Sequence, residues 1–297
     1  MARCLVTGHR GYIGSRLYKK LKDLGHEVQG IDLVEGHDIR EYLKEYNDPM
    51  RGKFHPHYYN FKPEYIFHLA CIPRVGYSVE EPVETMKNNV LCTTHVLNFA
   101  RHVGAKRVIY SGSSSVVGNG NGPASPYALQ KLISEMECKL YSDLYGLDTV
   151  SLRYFNVYSE DQTADGPYAT AIANWIKSIK NNIGPYITGD GEQRRDMLHV
   201  TDAVSANVFA MEREENFNGQ NFDVGTGSNI SLNEVKTIAQ NHLPEVVFDY
   251  VESRQGDVFM TKANTKPLKD IGWTTDVSID AGIDKCFLML KEDLCRS

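Results

Sequence analysis

In the stretch SPYALQK, residues 125–131, a tyrosine and a lysine stand four residues apart directly after a proline. Proline is well suited to open a helix, because a first-turn position needs no N–H bond, so Tyr127 and Lys131 fall one turn apart on one face. A tyrosine with a pKa of about 10 is a poor base at neutral pH. An ammonium group beside it favours the phenolate and turns the pair into a usable general base. The same spacing recurs by chance in many chains, where a partly buried helix tyrosine is the ordinary outcome. Here hydroxyls stand close by in sequence: RVIYSGSSS, residues 107–115, reads as a strand ending in Ser111, Ser113 and Ser114.

A second cluster lies near the start of the chain. TGHRGYIGS follows a strand-like run and opens a helix, with Gly8, Gly11 and Gly14 at the spacing G-x-x-G-x-x-G. These glycines supply a tight turn, close backbone approach to a pyrophosphate and close helix–strand packing, with the phosphates at the helix N-terminus. Asp32 ends the next strand, where a carboxylate accepts from both ribose hydroxyls of an adenosine and repels a 2′-phosphate. NAD is therefore expected over NADP, although Arg10 in the glycine loop could reach such a phosphate. The positive ring of an oxidised nicotinamide would add to the pull of Lys131 on the Tyr127 proton.

Elements that position these residues follow from the pattern around them. Short runs rich in Val, Ile and Leu (RCLVTG, EVQGID, EYIFHLA, RVIYSG, TVSLRYF) alternate with amphipathic stretches at residues 12–24, 83–103 and 126–145. Such alternation predicts an α/β fold of the Rossmann type, a doubly wound parallel sheet with helices on both faces. Beyond Asn156 the pattern loosens into a helix near 169–179, a short strand YIT and a helix after Thr201. The expected organisation is a nucleotide-binding domain over residues 1–155, with a later segment at about 186–213 returning to it, and a smaller interleaved lobe over 156–297.

Bulk properties exclude several classes of function. The formal charge is −6 and the basic residues are scattered among acids, so nucleic acid is not expected as a partner. The opening MARCLVTG lacks a charged and apolar leader, and no apolar window approaches the ~20 residues that cross a bilayer. Six cysteines without a C-x-x-C pair suit a reducing compartment, and the cytoplasm is expected. HPHYY, residues 55–59, lacks a matching second ligand group and reads as a surface loop rather than a metal site.

Taken together, these motifs resemble the extended short-chain dehydrogenase/reductase superfamily, and within it the NAD-dependent nucleotide-sugar epimerases and dehydratases. The resemblance spans nearly the whole chain and rests on TGHRGYIG, FHLA, NNVLCT, YSGSSSVVG, SPYALQK, LRYFNVYS, GDGEQRRDMLHVTD and RQGD. It implies that Ser113, Tyr127 and Lys131 are catalytic, with Ser113 hydrogen-bonded to the reacting sugar oxygen. The cofactor would be lined by Gly8, Gly11, Tyr12, Ile13, Gly14, Asp32, Leu69, Ala70, Asn89, Ser111 and Tyr154, and Asp38 and Ile39 would border the adenine. Asn156 and Arg195 would hold the diphosphate of the sugar nucleotide, Arg254 and Asp257 would close over its phosphate and ribose, and Arg74 and Ser114 would complete the sugar site. Three departures stand out: Cys92 replaces a usual glycine, Val117 replaces the tyrosine of V-Y-G, and the interval from Gly118 to Tyr127 is short.

The scaffold is shared by several reactions. Dehydratases of this resemblance carry an Asp–Glu pair beside the catalytic serine, and decarboxylases keep a glutamate there; this chain has Ser114 and Ser115. The resemblance therefore implies 4-epimerisation of a UDP-sugar, closest to UDP-N-acetylglucosamine and UDP-glucose 4-epimerases. The alternatives are a glucuronate epimerase, a dehydratase, a keto-sugar reductase or a non-catalytic nucleotide-binding protein. Thr261, seven residues after Arg254, would stand at the gate beside the second carbon of the sugar, and its small size would admit an acetamido group. A homodimer is expected through residues 83–103 and 126–145, with Met86, Val90, Leu97, Leu129, Ile133, Met136 and Leu140 at helical spacing.

Overall fold

The computed structural model describes residues 1–45, 54–118, 120–164, 170–253 and 259–296. The chain divides into two units. The first comprises Met1–Val116, Pro123–Arg153 and Val204–Phe222, and the second comprises Val117–Gly122, Tyr154–Ala203 and Asp223–Ser297. The segment that returns to the first unit is thus Val204–Phe222, later in the chain than the expected 186–213.

A six-stranded sheet is built from β1 (Arg3–Thr7), β2 (Glu27–Ile31), β3 (Tyr65–His68), β4 (Arg107–Ser113), β5 (Asp148–Tyr154) and the strand Gln220–Val224. Its spatial order places Gln220–Val224 at one edge, then β5, β4, β3, β1 and β2. The pairings of β1 with β2, β1 with β3 and β3 with β4 are parallel. The chain leaves β1 toward one side for β2 and toward the other for β3, so the point between β1 and β3 is where the strand order reverses and where ligands bind in sheets of this kind. The register sets Thr7 beside His68 and His68 beside Tyr110.

Helices of this unit obey the local signals. The helix Pro126–Tyr145 is capped by Ser125, whose hydroxyl accepts from the Ala128 N–H, and it stops at Gly146 with φ +67°. The stretch expected as one helix over 83–103 is interrupted: Pro82–Met86 and Cys92–Val103 are α-helical, and Lys87–Leu91 forms a π turn. HPHYY, expected as a surface loop, instead starts the helix Pro56–Phe61, because Pro56 suits its first turn and Tyr58 and Phe61 turn inward to the core. Leu5, Ile66, Leu97, Phe99, Val108 and Cys138 form the centre of that core. Leu97 is fully buried, which removes it from the expected dimer surface.

Residues Val204–Phe222 are tied in by a buried clamp. Arg107 pairs with Asp148 and donates to the carbonyls of Ala210, Arg213 and Glu215 at 2.6, 2.7 and 2.9 Å. Asp148 also accepts from the N–H groups of Phe217 and Asn218. Both charges are thereby satisfied out of water, the condition under which a buried ion pair is tolerated.

The second unit packs Tyr158, Ile172, Trp175, Ile187, Ile283 and Phe287 into its own core. Around it lie the helix Ala171–Lys180, the parallel pair Tyr186–Thr188 with Asp249–Val251, and the antiparallel pair Arg194–Arg195 with Ile230–Ser231. Among the described residues no helix is long and apolar enough to cross a membrane.

Candidate active site

Gly8 takes φ +72°, and a Cβ there would lie 2.7 Å from the Ala70 nitrogen, so the turn after β1 can be made only by glycine. A Cβ on Gly14 would overlap the carbonyl oxygen of Gly8, which accepts from the Gly11 N–H at 3.0 Å. Three glycines thus bring a loop onto the start of the helix Tyr12–Asp23, and Gly11 caps that helix without a side chain of its own. Tyr12 and Ile13 sit in its first turn, half-buried, with the Arg16 guanidinium 4.5 Å from the Tyr12 ring centre. The arrangement is an anion cradle of the form that a dinucleotide pyrophosphate fits.

Asp32 follows β2. Its carboxylate accepts from the N–H groups of Arg10 and Val34 at 2.9 and 3.0 Å, so the backbone fixes it next to the glycine loop. The Arg10 side chain turns to Glu35 instead, donating from Nε at 2.6 Å, and that hydrogen bond first of all holds the Glu35 carboxyl below its ordinary range. Arg10 is therefore paired with Glu35, and Asp32 presents a carboxylate beside the glycine loop. Asp38 caps the short helix Ile39–Tyr42 and grips the Arg40 guanidinium, while Ile39 is buried. Leu69 and Ala70 cross over the end of β1, where their N–H groups donate to Thr7 O and Thr7 Oγ1, both at 3.2 Å. Asn89, expected as a cofactor contact, is buried, and its side chain accepts from Ile72 N at 2.7 Å and donates to Ile72 O and Gln130 Oε1 at 3.1 and 2.8 Å.

Tyr127 and Lys131 lie one turn apart on the helix Pro126–Tyr145, as the spacing predicts, and both are buried. The Tyr127 phenol is hydrogen-bonded to Ser113, whose hydroxyl also accepts from Ser115 Oγ at 2.9 Å. Lys131 Nζ donates to the Ser111 carbonyl at 2.6 Å and lies 6.0 Å from the Tyr127 ring centre. Ser111 thus acts through its backbone, holding the lysine. The first turn of the helix is pinned where Tyr127 N donates to Ser78 Oγ at 3.0 Å. Burial pushes the Tyr127 phenol up to about 12, against the downward pull of Lys131 and of the Ser113 hydrogen bond. The lysine acts in the expected direction, but it does not by itself produce a phenolate at neutral pH. Ser114 opens the short 3-10 turn Ser114–Val116 after β4, and Arg74 is exposed at the start of the helix Val75–Glu80.

In the second unit, a cavity of about 220 Å³ is lined by Asn156, Asn174, Trp175, Tyr186, Gln193 and Arg195 among others. Asn156 adopts φ +35°, and its side-chain amide donates to Asp196 O and Thr261 Oγ1 at 2.6 and 3.2 Å. Asn156 and Thr261 are therefore in contact, and the Thr261 hydroxyl also accepts from Asp196 N at 3.1 Å. Arg195 donates to Arg194 O and Phe259 O at 3.1 and 3.3 Å. The Asp196 carboxylate binds Thr226 N, Gly227 N and Ala263 N at 2.9, 2.9 and 3.0 Å, joining the segments around the cavity. Tyr154 is buried at the end of β5. Arg254 and Asp257 lie outside the described residues.

Sequence reasoning passed over several buried polar residues at this centre: Ser78, which anchors Tyr127, and His68, Thr85, Thr93 and Gln130. The one signal for them was a polar side chain at a position whose neighbours in strand or helix are apolar, and that signal names no partner.

The sequence profile of the NAD dependent epimerase/dehydratase family matches residues 4–225. The chain is 32% identical over 308 residues to a UDP-glucose 4-epimerase of Mycolicibacterium smegmatis, covering 95% of this chain and 96% of that one. It is 31% identical over 259 residues to a UDP-N-acetyl-alpha-D-glucosaminuronate decarboxylase of Bacillus cytotoxicus, covering 78% of each. In three dimensions it resembles a UDP-N-acetylglucosamine 4-epimerase of Methanobrevibacter ruminantium solved with UDP-N-acetylmuramic acid, with a TM-score of 0.83, 28% identity, and 100% and 99% of the two chains covered. With the glycine cradle, Asp32 and the Ser113, Tyr127 and Lys131 cluster in place, this chain belongs to the NAD dependent epimerase/dehydratase family.

Proposed function

We propose that the protein interconverts two UDP-sugars that differ in configuration at the fourth carbon. The observation that carries this reading is the composition of the serine turn: Ser113 bonds to Tyr127, and the two residues after it are Ser114 and Ser115, not carboxylates. Removal of water across two carbons needs a further acid and base, and nothing on this turn provides either one.

In this reading Ser113 donates to the fourth oxygen of the sugar and orients it, and Tyr127 receives that hydroxyl's proton. Lys131, held by the Ser111 carbonyl, steadies the phenolate that Tyr127 must offer. NAD, which the glycine loop and Asp32 would hold, would supply a hydride acceptor for the fourth carbon and, once reduced, a hydride donor to its opposite face. Tyr127 then returns its proton to the fourth oxygen.

The nucleotide is assigned to the second unit's cavity, where the Tyr186 and Trp175 rings and the Asn174 and Asn156 amides suit a flat base with polar edges. Arg195 serves the diphosphate, with Arg254 and Asp257 in the roles given by resemblance. Thr261 is small, and acetamido sugars are admitted alongside the plain ones. Dimerisation uses an exposed apolar stripe at Leu129, Met136, Leu140 and Leu144 of one helix, with Val83 and Met86 on another. All six cysteines are free, which suits the cytoplasm.

A panel of UDP-, GDP- and TDP-sugars, including UDP-glucose, UDP-N-acetylglucosamine and UDP-glucuronate, tests the proposal by separation of the products. Conversion of at least one UDP-sugar to its fourth-carbon epimer is expected. Release of carbon dioxide, or a product lacking the elements of water, would replace epimerisation with decarboxylation or dehydration.

A further inference from the structure

The first unit contains a buried chain of side-chain hydrogen bonds that the reaction itself does not use. It runs from Thr7, the residue before Gly8, through Gln130, the residue before Lys131, to Thr85. Thr7 Oγ1 lies 2.8 Å from His68 Nδ1, and His68 Nε2 lies 3.0 Å from Thr93 Oγ1. Thr93 donates its single hydroxyl proton to Asn89 O at 2.7 Å. The Asn89 side chain reaches Gln130 Oε1, and Gln130 Nε2 donates to Thr85 Oγ1 at 2.9 Å.

These directions fix the histidine. Since the Thr93 proton is committed to Asn89, Thr93 must accept from His68 Nε2–H. Nδ1 then carries no proton and accepts from the Thr7 hydroxyl, whose oxygen in turn accepts from Ala70 N at 3.2 Å. His68 is thus a neutral imidazole in one tautomer, and burial, with Lys131 adding to it, depresses its pKa to about 3. Every named donor has an acceptor, the condition under which a buried network confers rigidity rather than cost.

We infer that His68 is a positioning residue for the reaction: through Thr7 it fixes the Ala70 crossing that closes the glycine cradle, and through Thr93, Asn89 and Gln130 it fixes the helix that carries Tyr127 and Lys131. The inference rests on the proposed catalytic role of that pair. It explains why the helix over 83–103 widens into a π turn at Lys87–Leu91. Asn89 lies in that turn, from which it reaches Ile72 and Gln130 at once. A displacement of a catalytic group by about 1 Å costs rates on the order of a hundredfold, so a strut of this kind acts on turnover rather than on substrate affinity.

The test compares His68→Leu, Thr93→Val, Thr93→Ser and the double variant His68→Leu/Thr93→Val. In folded His68→Leu and Thr93→Val, kcat is expected to fall about tenfold or more with KM for the sugar nucleotide little changed. Thr93→Ser, which keeps the hydroxyl, retains the wild-type rate. The double variant is no slower than the slower single one, because both break one chain. Amide exchange across residues 69–72 should quicken in His68→Leu, since Ala70 N–H loses a fixed acceptor. Wild-type kcat in His68→Leu, or losses that multiply in the double variant, would overturn the inference; if His68→Leu does not fold, equal rates for Thr93→Val and Thr93→Ser overturn it. A wild-type protein that converts no sugar nucleotide refutes the proposed function instead. The strut is then judged by exchange and by NAD calorimetry on His68→Leu, where unchanged values defeat it.

Discussion

In the proposed reaction Tyr127 is the base, and its environment divides the work among its neighbours. Burial raises the phenol, Lys131 and Ser113 lower it, and the net position is about 12. The structure therefore offers a protonated, ordered tyrosine that becomes a base only as positive charge gathers around it. Tyr127→Phe should lose activity by about 10²–10⁴-fold or more while keeping its fold and its affinity for NAD, as measured by initial rates and calorimetry. A variant retaining more than half of the wild-type rate would remove Tyr127 from this role. Cofactor choice is likewise a single-residue matter. Arg10 is engaged with Glu35, so the proposed role falls to Asp32: wild type is expected to bind NAD more tightly than NADP, and Asp32→Ala to narrow the gap. Equal affinities in the wild type would show that Arg10 leaves Glu35 for a 2′-phosphate.

At the scale of elements, legibility followed the range of the interactions. The glycine turn, the helix opened by Ser125 and Pro126, and the stop at Gly146 are written in adjacent residues, and the sequence was enough to place Tyr127 against Lys131. The π turn at Lys87–Leu91 was not legible, because it answers to Ile72 and Gln130, which lie in other segments. For the same reason the hydrogen bonds of Asn89 to Ile72 and Gln130 were not legible. The returning segment was misplaced because its anchor, Arg107, binds carbonyls more than a hundred residues away. Arg107→Ala should therefore destabilise the protein by about 3–5 kcal/mol, since Asp148 would remain buried without its partner. Denaturant unfolding measures this, and a loss within about 0.5 kcal/mol, the usual size for a surface change, would mean that the clamp is dispensable.

For the whole molecule, one surface bears on the proposed assembly. The stripe at Leu129, Met136, Leu140 and Leu144 is exposed at helical spacing, whereas Leu97, once grouped with it, belongs to the core. Light scattering is expected to give twice the chain mass of 33.5 kDa, and Met136→Lys with Leu140→Lys should return it to that mass without unfolding. A wild-type monomer would refute the dimer and leave the stripe unexplained.

The proposed reaction is the property of the whole molecule that matters most. Its most direct test is the fate of deuterium placed at the fourth carbon of a UDP-sugar that the protein converts, incubated in ordinary water. Transient oxidation predicts an epimer that keeps the deuterium on the fourth carbon, because the hydride leaves and returns within one site while Tyr127 handles only the oxygen-bound proton. An epimer carrying solvent hydrogen at that carbon, or no epimer from any UDP-sugar, would contradict the account.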